Sequence, residues 1–136
     1  MEMISNEEKI TQAVLVSVDT GDYDAEASLA ELKELVKSAG AEPVFTVTQN
    51  LKRPETGTYV GTGKLQEIAD ICKQQEIDLL VFDCELSPTQ IRNIEAETDT
   101  RTIDRTMLIL DIFALRARSK EGKLQVELAQ LKYLMP

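Results

Sequence analysis

The stretch 59-YVGTGKL-65 sets two glycines and a lysine ahead of an amphipathic run, residue types that can cradle phosphate. A Walker-type loop works because backbone N–H groups wrap the anion, a lysine ammonium reaches it, and a following hydroxyl holds Mg²⁺. Here the gap from Gly57 to Gly63 is one residue too long, and Leu65 follows Lys64 where the hydroxyl belongs. A dinucleotide fingerprint fails too, because Gln66 stands at the third glycine position. A weaker reading survives: Arg53, Tyr59, Gly61, Gly63 and Lys64 form an anion or small-ligand site at a helix start, where unpaired N–H groups attract negative charge. The plainer alternative is a glycine-rich turn with Tyr59 packed on the surface.

Asp83, Cys84 and Glu85 form a second grouping, at the end of an apolar run. A nucleophilic cysteine needs a neighbouring base, and the chain has no histidine. Cys84 therefore reads as a small buried residue, and nothing in the sequence pairs the two carboxylates. The only other cysteine is Cys72, so there is no C-x-x-C; with histidine absent, this argues against a metal site and for a reducing compartment. No catalytic constellation emerges.

The third grouping is 116-RARSKEGK-123, with four cations (Arg116, Arg118, Lys120, Lys123) and one anion, in a chain of net charge −9. A basic segment on an acidic body suits phosphate contact at one place, since each neutralised phosphate releases counterions. Ser119 lies in this segment, and Gly122 would allow a tight turn with close approach of the backbone to a partner. The competing explanation is that these cations cap helix carbonyls and keep the segment solvated.

The elements that must position these groups are legible in outline. The runs 13-AVLVSV-18, 44-VFTVTQ-49, 79-LLVF-82 and 101-RTID-104 predict strands, the first buried on both faces. Leu29, Leu32, Val36 and Ala39 recur at helical spacing before Gly40, and Leu65, Ile68, Ala69 and Cys72 line another helix. In 87-SPTQ-90, a capping serine, a proline at the first helical position and a glutamine predict a helix start with a capping box. The order βαβαβαβ predicts an α/β fold, a four-stranded, mainly parallel sheet flanked by helices, over residues 1–105.

Over 106–136 the pattern changes to an antiparallel helical hairpin, 106–118 and 123–135, joined by 119-SKEG-122. Leu124, Leu128, Leu131 and Met135 make an apolar stripe on its second helix. Helices this apolar need cover beyond each other. The expectation is an adjoining domain, or a second copy pairing through the hairpin.

At 136 residues the chain suits one domain with a sizeable core. No leader-like apolar segment and no run of the ~18 apolar residues that span a bilayer is present, so the expectation is a cytoplasmic protein without a membrane segment.

Residues 101–136 resemble the end of the N-terminal domain of HflX-type GTPases, and 59-YVGTGK-64 and 81-VFDCELSPTQIRNIE-95 match as well, with Cys84 where an acidic residue is more usual. The resemblance implies a large-ribosomal-subunit-binding module of a protein that splits ribosomes under stress, with ribosomal RNA contacted by the hairpin loop, here Arg116 to Lys123. It also implies a G domain in cis, which would bring GTP and Mg²⁺. The chain itself has no Walker A, D-x-x-G or N-K-x-D motif, so neither that cofactor nor catalysis is expected within it. The alternative left open is a nucleotide or small-ligand module using the Tyr59–Lys64 loop.

Overall fold

The computed structural model describes residues 9–116 and 120–135, without the side chains of residues 116 and 120–124. Four strands, β1 (Gln12–Asp19), β2 (Glu42–Asn50), β3 (Leu79–Phe82) and β4 (Arg101–Asp104), form one sheet in the order β2-β1-β3-β4. Every neighbouring pair is parallel. The helices are α1 (Ala25–Ser38), α2 (Thr62–Gln74), α3 (Pro88–Thr98), α4 (Arg105–Arg116) and α5 (Lys120–Leu134). The predicted α/β class, the parallel sheet and the hairpin after it are all present.

Parallel strands buried on both faces need apolar residues at every position, and β1 supplies them: Ala13 to Val18 are all buried. Successive side chains feed opposite layers. Leu15, Val81 and Ile103 pack with Leu32 and Val36 of α1 and Leu108 and Ile112 of α4. Val14, Val16, Leu80 and Phe82 pack with Leu65 and Ile68 of α2 and Ile94 of α3. Right-handed crossovers produce this division, because the chain winds outward from β1 to β2 and then returns past β1 to β3. The edge strand β2 is the least buried, and its Pro43, which cannot donate to a ladder, is tolerated there.

Local signals set the helix ends. Asp24 caps α1 by accepting from Ala27 N–H at 3.0 Å, and Gly40 follows that helix with φ +88°. Ser87 and Gln90 close both bonds of the expected capping box on α3.

The hairpin departs from expectation at its connection. Helix α5 begins at Lys120, so 119–122 is not its connection and Gly122 lies within a helix rather than at a turn. Lys, Glu and Leu around that glycine are strong helix formers, and one helical glycine costs only about 1 kcal/mol. The apolar stripe is left partly uncovered, as its need for further cover predicts: Leu128, Leu131 and Met135 are 52%, 64% and 69% exposed, and the Leu124 side chain lies outside the described residues. Instead α5 turns Val126, Gln130 and Tyr133, its less exposed residues, toward the body.

One carboxylate ties this hairpin to the sheet. Asp104, fully buried at the end of β4, accepts from Met107 N–H at 2.9 Å as the cap of α4. Its other oxygen accepts from Leu86 N–H at 2.8 Å and from the Tyr133 hydroxyl of α5. Burial and the adjacent Asp104 push the Tyr133 hydroxyl pKa upward, which keeps it a donor. Removing that donor by Tyr133→Phe should cost about 1.5–3 kcal/mol, the range for a bond to a charged partner. Urea denaturation would measure this, and in an Asp104→Asn background the same change should cost less. Additive losses would mean that the two side chains act independently.

Candidate functional site

The loop that raised the phosphate question runs from the end of β2 to α2, and its groups are engaged internally. Glu55 and Tyr59 exchange both backbone bonds at 3.0 Å, closing a tight turn. Helix α3 holds the turn down: Asn93 Nδ2 donates to Gly57 O at 2.9 Å, and Gln90 Nε2 donates to Thr56 O at 3.2 Å. Tyr59, at φ +67°, sends its ring inward to meet Phe82 edge-on with centroids 6.3 Å apart. It is therefore not a surface-packed residue. Gly61 N–H donates to Gln49 Oε1 at 2.9 Å, and a Cβ there would meet Gln49 Nε2 at 3.1 Å. Lys64 pairs with Glu67 at 3.0 Å, while Arg53 stands exposed on the loop. Gly61, Gly63 and Lys64 thus share the start of α2; the Tyr59 side chain, partly buried, packs against the core.

The carboxyl edge of the sheet, where open α/β folds receive ligands, is acidic. Asp19 lies on the wall of a depression of about 350 Å³ shared with Asn50 and Lys52, and Asp22 and Glu85 stand on loops at the same edge. Sequence reasoning left Asp83 unpaired, but the fold pairs it. Arg105 Nη1 donates to Asp83 Oδ1 at 2.7 Å, and the same guanidinium reaches Ser28 at 3.3 Å and Glu31 on α1. The pairing follows from register: Phe82 lies opposite Asp104, so the next residues on the two strands, Asp83 and Arg105, also meet. Neither residue's local sequence announces it.

Cys84 is half-buried beside Tyr59. Burial pushes its thiol pKa upward, and Asp104, Asp83 and Glu85 add to the rise against the hydrogen bond from Tyr59. Such a thiol stays protonated and is a poor nucleophile. Among the described residues no group of three or more Cys, Asp or Glu side chains is placed to hold a metal ion, and no helix is long and apolar enough to cross a membrane. Of the basic segment, Arg118 and Ser119 lie outside the described residues, as do the side chains of Arg116, Lys120 and Lys123; Gly122 is in α5.

The described residues form an α/β domain with a pair of helices after its parallel sheet. Residues 26–114 match the family model for the GTP-binding GTPase N-terminal region, and residues 116–136 match that for the GTP-binding GTPase middle region. The chain is 53% identical over 133 residues to GTPase HflX of Lacrimispora saccharolytica, covering 97% of this chain and 31% of that protein. Against GTPase HflX of Escherichia coli the identity is 52% over 124 residues, covering 90% of this chain and 29% of the relative. A crystal structure of a GTP-binding protein from Sulfolobus solfataricus in complex with GDP superposes with a TM-score of 0.69 at 33% identity, over 91% of this chain and 37% of that one. The chain belongs to the HflX family of GTPases and corresponds to its N-terminal domain. It spans under a third of the length of these two curated relatives.

The Cys84 environment carries a pH dependence. Folding holds the thiol neutral, whereas an unfolded thiol ionises from about pH 8.5, so this contribution to stability is present below that pH and fades above it. Urea midpoints should fall between about pH 8 and pH 10, less steeply for Cys84→Ala than for the parent chain. Identical slopes would mean that the thiol is not shielded.

Proposed function

We propose that this domain is the ribosome-docking module of an HflX-type GTPase, and that residues 116–123 contact ribosomal RNA of the large subunit. The observation that carries the reading is the concentration of four cations against one anion in eight residues of a chain with net charge −9. Lys and Arg in that density release counterions from RNA phosphates, and the acidic remainder of the domain discourages contact elsewhere. Phosphate contacts position a protein without reading bases, so recognition would rest on the shape of folded RNA.

The fold supports this assignment at the base of the hairpin. The basic segment runs from the last residue of α4 into the start of α5, and α5 is fastened through Tyr133 to Asp104 and through Gln130 to Asp111 at 2.5 Å. In this reading the domain is not itself an enzyme. GTP, Mg²⁺ and hydrolysis belong to a G domain in cis, and docking by this domain serves the splitting of stalled ribosomes in the cytoplasm under stress.

Co-sedimentation with isolated large subunits across a salt series tests the proposal. Binding should weaken as salt rises, with log K falling by roughly 0.7–0.9 per phosphate contact for each tenfold step in salt. The variant with Arg116, Arg118, Lys120 and Lys123 all changed to Glu should not pellet with the subunits. Equal binding by both proteins would move the contact off this segment, and no binding by the parent chain would remove ribosome docking from this domain.

A further inference from the structure

We draw no further inference here: the strongest candidate, the apolar groove between α4 and α5 walled by Met107, Leu110, Leu131 and Leu134, carries nothing because nothing in the structure shows what covers it.

Discussion

A single buried carboxylate decides how three parts of this domain meet. Asp104 ends β4, caps α4, holds the start of the segment leading into α3 through Leu86, and receives the Tyr133 hydroxyl from α5. Burying a carboxylate is costly unless it is hydrogen-bonded, and losing one partner of such a group costs several kcal/mol. The three donors come from elements that share no local sequence. Their agreement on one residue fixes the hairpin's angle to the sheet more narrowly than apolar packing, which tolerates sliding. Arg105, the next residue, repeats the device one step outward by joining Asp83 at the end of β3 to Ser28 and Glu31 on α1.

Much of the architecture was legible because its causes are local. The apolar runs of β1, β3 and β4 and the capping box at Ser87 depend on residues a few positions apart, and the structure places them as expected. What escaped notice has its partner far away. Tyr133 lies 29 residues from Asp104, and Arg105 lies 22 from Asp83, so neither pair leaves a trace in any short window. The aspartate immediately before an apolar helical run was a readable cap signal; its second and third bonds were not. Gly122 marks no turn, because the helix formers beside it outweigh the local preference of glycine.

Electrostatics divides the molecule in a way the topology alone would not suggest. This sheet order normally invites a ligand to the carboxyl edge, between the strands where the winding reverses. Here that edge carries Asp19, Asp22, Asp83 and Glu85, and Arg105 is committed to Asp83 and Glu31, which leaves Lys52 and Arg53 on the loop after β2 as its exposed cations. The glycine loop nearby is spent on structure: Tyr59 fills space against Phe82, and Gly61 accommodates Gln49. The cations dense enough to attract phosphate lie instead from the end of α4 into the start of α5. The sheet is best understood as a mount whose polar contacts are directed inward.

Helix α5 shows why periodicity identifies a stripe without saying what covers it. Leu128, Leu131 and Met135 follow the spacing of a buried seam, yet the body is met by the other side of the helix through Gln130 and Tyr133, two long side chains with polar ends. The choice has a physical logic. The end of β4 and helix α4 offer α5 two buried acceptors, Asp104 and Asp111, and leaving them unmet would cost more than leaving a few leucines partly in water. Satisfying the carboxylates turns the apolar stripe outward and opens the groove beside it. The same contacts that hold the hairpin in place therefore create an apolar surface on its outer side, and one Asp111 oxygen stays buried without a hydrogen-bond partner among the described residues.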